Sequence, residues 1–316
     1  MKKTRPAPPD ISVVIPVGKR HDDPAQLHQH YAEVIATTGK SVEFIYVLDG
    51  PKPDFSQALQ TADRDGTPLK VVELARSYGE STALNLGIKR AEAEILLLLP
   101  AYEQIVPESI PRLIDALDTS DMVLAYREPR HDSFVNRIQS RLFNRLLSGV
   151  ADLEVTDVGC GARAVRKKVL EEIPLYGDLD RFLPLLAYQR GFRVQEVGCR
   201  QSPRDAYTRL HSPGVYVRRV LDLLTVVFLL RFTKKPLRFF GLIGSTLLGA
   251  GSLWTLWLIV ERLFYGMSLG DRPALVLSSL LIVLGIQVIA IGLVGELLIF
   301  THSRDINDYT VERVVE

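Results

Sequence analysis

The residues able to do chemistry in this chain are mainly carboxylates and arginines set just after short apolar runs. Asp49 is followed at once by Gly50, and a carboxylate so placed accepts from a ligand N–H or closes its own turn. Asp157 precedes Gly159, Cys160 and Gly161, and that glycine pair allows the backbone to approach a ligand closely. Arg127 follows the run MVLAY, a fifth strand candidate. Farther on, Phe134, Ile138, Leu142 and Leu146 recur every four residues with Arg137, Arg141 and Arg145 beside them. That is a basic amphipathic helix, spanning about residues 132–148, able to lie in a membrane interface near lipid phosphates. Residue types and spacing thus suggest one water-soluble substrate and one lipid substrate.

Elements must position these groups. The runs 11–17, 42–48, 69–74 and 95–99 are β-branched or aliphatic and of strand length. Helical candidates lie between them at 25–37, 54–62 and 81–91. Strand and helix in alternation predict a parallel sheet covered on both faces, with the ligand beyond the carboxyl ends of the strands. Residues 16–20, 49–50, 75–79 and 100–104 should therefore surround one crevice.

Composition narrows the class. With 38 Lys+Arg against 37 Asp+Glu the net charge is +1, which removes any global electrostatic reason to expect nucleic acid as a partner. A hydrophobic share of 47% is ample for a core. Two cysteines, Cys160 and Cys199, make neither a disulfide framework nor a zinc site. The stretches 239–260 and 273–295 carry no charge and are each long enough to span a bilayer core of roughly 30 Å. Arg218, Arg219, Arg231, Lys234, Lys235 and Arg238 face only Asp222 before the first span, whereas the loop 261–272 is balanced. The positive side is expected in the cytoplasm, so a hairpin leaves both termini there. The opening MKKTRPAPPD has no apolar stretch of the signal-peptide kind. The expected organisation is a cytoplasmic domain at 1–212, a juxtamembrane amphipathic segment at 213–238, two spans within 239–300 (239–260 and 273–297), and a tail at 301–316. Gly241, Gly244 and Gly251 fall near one face of the first span and predict close helix packing, within a hairpin or between chains. Glu296, deep in the second span, should have a partner.

Seven stretches, in order, carry a resemblance: SVVIPV at 12–17, LDG at 48–50, ARSYGESTALNLGIKRA at 75–91, TDVGCGARAVRKKVL at 156–170, DRFLPLLAYQRGFRVQEV at 180–197, LDLLTVVFLLRFTKKPLRFFGLIG at 221–244 and GLVGEL at 292–297. The set resembles the inverting family-2 glycosyltransferases of the dolichol-phosphate-mannose-synthase type. More closely, it is similar to the bacterial polyprenyl-phosphate glycosyltransferases with a C-terminal transmembrane hairpin. The resemblance implies an α/β fold of GT-A (Rossmann-like) type, a nucleotide-sugar donor, a polyprenyl (undecaprenyl) phosphate acceptor and Mg²⁺ or Mn²⁺. It also implies inversion at the cytoplasmic face of the inner membrane, by a homo-oligomer. Carried over to this sequence, Pro16, Asp49, Arg76 and Arg127 would contact the donor. Asp157 would orient or activate the acceptor phosphate, with Asp180 as second choice for a catalytic carboxylate. Arg181, Arg204 and Arg209 would hold the lipid phosphate.

The chain departs from the family pattern at the metal. The Asp-x-Asp pair expected after the fourth strand is replaced by Pro100, Ala101 and Tyr102, and Glu103 reaches the donor only if the loop register shifts. The segment after the first strand reads Gly18-Lys19-Arg20-His21-Asp22-Asp23, and the basic loop reads PRDAYTRLHSPG at 203–214. Two expectations follow: a transferase in which Lys19, Arg20, Arg76 or Arg127 supplies the metal's charge, or a non-catalytic relative that binds or scaffolds.

Overall fold

The computed structural model describes residues 8–62, 68–129, 155–173, 179–205, 236–265 and 273–302. The chain divides into two compact units, Met1–Val226 and Val227–Glu316. The amphipathic stretch 132–148, most of the juxtamembrane segment, and the tail beyond 302 lie outside the described residues.

Strand β1 (Ile11–Val17) is buried along its whole length, which a strand covered on both faces requires and which explains its unbroken apolar run. It pairs in parallel with β2 (Val42–Leu48) on one side and β4 (Ile95–Leu98) on the other. β3 (Leu69–Glu73) continues the parallel set beyond β2. Past β4 come β6 (Arg163–Arg166), β5 (Met122–Arg127) and β7 (Val194–Cys199), giving the order β3-β2-β1-β4-β6-β5-β7. β6 runs antiparallel to β4 and β5, while β5 and β7 are parallel. The carboxyl ends of the six parallel strands therefore share one edge with the amino end of β6. Segments 18–23, 49–52, 74–79, 99–106, 155–162 and 200–205 all emerge there.

Helix α1 (Pro24–Ala36) begins where Asp23 caps it, accepting from the Gln26 N–H at 2.9 Å, with Pro24 in the first turn where no donor is lost. Helix α2 is Pro53–Ala62 and α3 is Glu80–Arg90. In α3, Gly87 lies directly against Val14, and a Cβ there would collide with that side chain, so the glycine sets how closely α3 packs on β1. Shorter helices follow: α4 (Ile110–Asp115), α5 (Lys167–Glu172) and α6 (Leu183–Gln189).

One polar cluster buried inside the sheet is satisfied by its own partners. Ser12 donates to Glu43 at 2.5 Å, the Glu92 N–H donates to Glu43 at 2.8 Å, and Lys70 sits 2.7 Å from Glu43. Burial opposes the Glu43 charge, but Lys70, Ser12 and the Glu92 N–H outweigh it and hold its pKa below the ordinary value.

The second unit is a pair of helices long and apolar enough to cross a membrane, α7 (Pro236–Tyr265) and α8 (Pro273–His302). They run antiparallel: Gly244 meets Gly285, Gly251 meets Ser278 and Ile282, and Gly292 meets Leu237 and Phe240. A Cβ on Gly285 would lie 2.6 Å from the Leu248 nitrogen, so small residues allow backbone-to-backbone approach. Of the glycines expected on the packing face, Gly241 meets only Leu237 of its own helix and does not join this contact. Thr255 donates to Ser278 across the pair at 3.0 Å. Glu296 accepts from the Leu237 N–H at 3.3 Å, so a residue of α8 caps the first turn of α7. Two apolar spans of this kind make the protein membrane-associated.

Candidate active site at the strand ends

Three of the segments at the carboxyl edge are laced together by the backbone. The Asp22 N–H donates to the Ala101 carbonyl at 2.9 Å, and Asp22 in turn accepts from the Glu103 N–H at 3.0 Å. The Ser202 N–H donates to the Gln104 carbonyl at 3.0 Å, and the Val106 N–H to that of Arg200 at 2.9 Å. The loops after β1, β4 and β7 thus form one wall.

A guanidinium lies on that wall. Arg20 sits over the Tyr102 ring, 3.8 Å from its centroid, and its Nη1 is 3.1 Å from Asp205 Oδ1. Its Nη2 donates to the Arg204 carbonyl at 3.3 Å. Tyr102 is fixed in turn: Gln104 donates to its hydroxyl at 2.7 Å and accepts from the Gly161 N–H at 2.6 Å. Burial raises the Tyr102 pKa despite Arg20, so the ring is a neutral platform at physiological pH. Arg20 stays 48% exposed while Asp205 is 2% exposed, so the cation is open to solvent and its partner is not.

Asp205 leads inward. Its Oδ2 accepts from Arg127 Nη1 at 2.7 Å, and Arg127 gives Nε and Nη2 to the two oxygens of Asp157 at 2.7 and 3.0 Å. Burial works against the Arg127 charge, but the Asp157 hydrogen bonds and charge raise its pKa. The result is an alternating ladder, Arg20–Asp205–Arg127–Asp157. Beside it, burial and then the Asp157 charge push the Cys160 thiol up to about 12, which keeps it protonated and unreactive.

The opposite wall is built around Asp49. Its oxygens accept from the Ser77 hydroxyl at 2.6 Å, the Tyr78 N–H at 2.7 Å and the Gly79 N–H at 3.1 Å. Burial opposes its charge, yet these donors and Lys52 win and its pKa is lowered. Gly50 makes the approach possible: its φ is +91°, and a Cβ would stand 3.1 Å from the Ser77 nitrogen. At the start of α3, Ser81 donates to Asp180 Oδ1 at 2.5 Å, and buried Arg163 donates to the Asp180 carbonyl. The carboxylate of Glu80 lies close by; loss of hydration around it and the Asp180 charge raise its pKa, although much of the side chain remains exposed.

The sequence-derived residues fall into groups. Arg127 and Asp157 are a bonded pair. Asp180 and exposed Arg181 stand with Glu80 by α3. Exposed Arg76 lies near Tyr78, 4.9 Å from its ring centroid, on the loop that Asp49 organises. Pro16 is buried within β1. Glu103 is buried and meets His30 at 2.6 Å, with Arg204 at 3.8 Å, so it serves the wall's interior. Arg209 lies outside the described residues. Asp205, Gln104, Ser77 and Glu80 are additions that sequence reasoning did not single out.

The residues at the expected metal position do not suit a divalent cation. Tyr102 stands where the second carboxylate should be, and a guanidinium covers its ring. Glu103 is committed to His30 and Arg204. Among the described residues, no three His, Cys, Asp or Glu side chains gather to hold a metal ion.

An open, mostly parallel sheet with its crevice at the carboxyl edge defines an α/β protein of GT-A type. The chain belongs to glycosyl transferase family 2, whose model matches residues 12–174. It is 27% identical over 304 residues to a dodecaprenyl-phosphate galacturonate synthase of Rhizobium johnstonii, covering 94% of this chain and 89% of that one. It is 30% identical to an undecaprenyl-phosphate 4-deoxy-4-formamido-L-arabinose transferase of Pseudomonas paraeruginosa, covering 98% and 92%. Among solved structures, glucosyl-3-phosphoglycerate synthase from Mycobacterium tuberculosis with UDP shares the fold, with a TM-score of 0.52 at 15% identity over 70% of this chain and 79% of that one. The same enzyme has been solved with Mn²⁺, UDP and phosphoglyceric acid, at a TM-score of 0.50.

Proposed function

We propose that the protein transfers a sugar from a nucleoside-diphosphate donor to a polyprenyl phosphate at the cytoplasmic face of a membrane, with inversion and without a divalent metal. The acceptor class rests on the relatives, which act on dodecaprenyl and undecaprenyl phosphates by name and match nearly the whole chain. The observation carrying the metal-free reading is Arg20, a half-exposed guanidinium stacked on Tyr102 where the expected carboxylates are missing.

The chemistry needs little more. An oxygen of the lipid phosphate attacks the anomeric carbon, the bond from that carbon to the diphosphate breaks, and the nucleoside diphosphate leaves with the electron pair. The acceptor is already an anion, so no strong base is required. The demand lies on the leaving group, whose growing negative charge must be met by positioned donors. Arg20 supplies a planar fork suited to phosphate oxygens. Arg76 and Arg181 add positive charge on the opposite wall, where the Asp49-held loop shapes the nucleotide side. Asp157 holds Arg127 with both oxygens.

The test is a lipid-glycosylation assay on detergent-purified protein with undecaprenyl phosphate, a panel of labelled nucleotide sugars, and Mg²⁺, Mn²⁺ or EDTA. A labelled lipid that survives EDTA is expected. Product abolished by EDTA overturns the metal-free reading, and no product from any donor overturns the transfer itself.

A further inference from the structure

We infer that Asp205 is the positioning residue of the donor site, holding Arg20 on Tyr102 in the attitude that receives a diphosphate. The inference rests on the function proposed above and adds a residue to it. Asp205 closes the short helical turn Pro203–Asp205, its N–H donating to the Ser202 carbonyl at 3.0 Å. Three side-chain donors converge on its carboxylate: Arg20 at 3.1 Å on one oxygen, Arg127 at 2.7 Å and Gln201 at 3.1 Å on the other. Gln201 is bridged to Ile105, so the carboxylate is anchored to the loop that carries Tyr102.

Charge matching along the ladder says what this carboxylate is for. Asp157 already meets Arg127 with both oxygens, which balances that buried cation. The charge of Asp205 is then matched by Arg20, whose long side chain would otherwise sample many rotamers in solvent. Tyr102 supports the guanidinium from below, Asp205 grips one terminal nitrogen and the Arg204 carbonyl the other. A cation held on three sides in this way is preorganised: its ordering cost is met before the ligand arrives. Because Asp205 is buried, it acts through Arg20 and not by touching the donor itself.

The experiment measures UDP and GDP binding by calorimetry in EDTA, with the full chain in detergent, for wild type, Arg20→Ala, Asp205→Asn and the double variant. Wild type should bind at least one of the two. Arg20→Ala should raise Kd about tenfold, the scale of one charge-assisted hydrogen bond. Asp205→Asn should reproduce most of that loss, and the double variant should bind no more weakly than Arg20→Ala. Asp205→Asn with wild-type affinity, or losses that multiply in the double variant, would overturn the inference. Should Asp205→Asn not fold, Tyr102→Leu removes the other support of Arg20. It should weaken binding in wild type and be silent beside Arg20→Ala, and an unchanged Kd in wild type overturns the inference. A wild-type chain that binds neither nucleotide removes the donor site as a whole, an outcome distinct from binding that Asp205→Asn leaves intact.

Discussion

The two walls of the crevice hold opposite charges by opposite means. Around Asp49, a carboxylate turns its oxygens to a hydroxyl and two backbone N–H groups of the neighbouring loop. Around Tyr102, a guanidinium is gripped by a buried carboxylate and left half open to solvent. The first arrangement spends the charge on shaping its own loop; the second presents the charge outward. If the site receives a diphosphate as proposed, the second wall presents a held cation to it, and the first determines the shape of what fits beside it. On the proposed function, the fold keeps its nucleotide-side architecture while a guanidinium takes over charge neutralisation on the other side.

Breaking the cation wall should have the largest effect. Arg20→Ala is expected to lower turnover by about 10²-fold or more, the range seen when one donor to a developing oxyanion is removed, with Arg20→Lys retaining part of it. Labelled lipid product over time is the measurement, and equal losses from Arg20→Ala and Asp49→Asn would erase the contrast. Next comes Asp157→Asn, which leaves Arg127 with a weakened partner in a buried setting. A loss of about 3 kcal/mol of unfolding free energy is expected, the scale for breaking a buried ion pair, read from denaturant or thermal melts. Asp49→Asn should act more gently and on binding: about a tenfold higher KM for the nucleotide sugar with turnover nearly kept, because a loop is loosened and no charge at the reacting centre is lost.

The smallest effect sharpens the comparison through pH. Asp49, Glu43 and Asp121 all have folded pKa values below their ordinary ones, burial being outweighed by Ser77, Lys70 and Lys168 respectively among their partners. The unfolded chain binds protons more readily at these groups. Their stabilisation is thus complete above the ordinary carboxylate pKa, about 4, and disappears as pH falls below it. Thermal unfolding midpoints of the detergent-solubilised chain should hold steady from pH 7 to about 5 and drop below about 4. A midpoint that rises on acidification would contradict this.

Much of the scaffold was legible in the residues. β1 and β2 end where their apolar runs end, and α1 starts at the Asp23-Pro24 pair that physical capping rules mark. β6 was not legible: Arg163–Arg166 is four residues with a charge at either end, and it becomes a strand because β4 and β5 leave a slot between them. The site was legible in parts. Asp157, Arg127 and Arg20 were all named, but their connection was not, since Asp205 lies 78 positions from Arg127 and within a loop that departs from the family pattern. Long-range pairing of this kind has no local period or spacing. Glu103, the nearest acid to the missing pair, meets His30 and lies 3.8 Å from Arg204, partners that no local spacing announces.

The cap that Glu296 places on α7 has a consequence for how the hairpin is made. The carboxylate is 59 positions downstream of the N–H it meets, so the ribosome delivers the helix long before its cap. During that interval the Leu237 N–H must find water or a lipid headgroup instead. A chain ended short of Glu296 would leave that N–H without this acceptor.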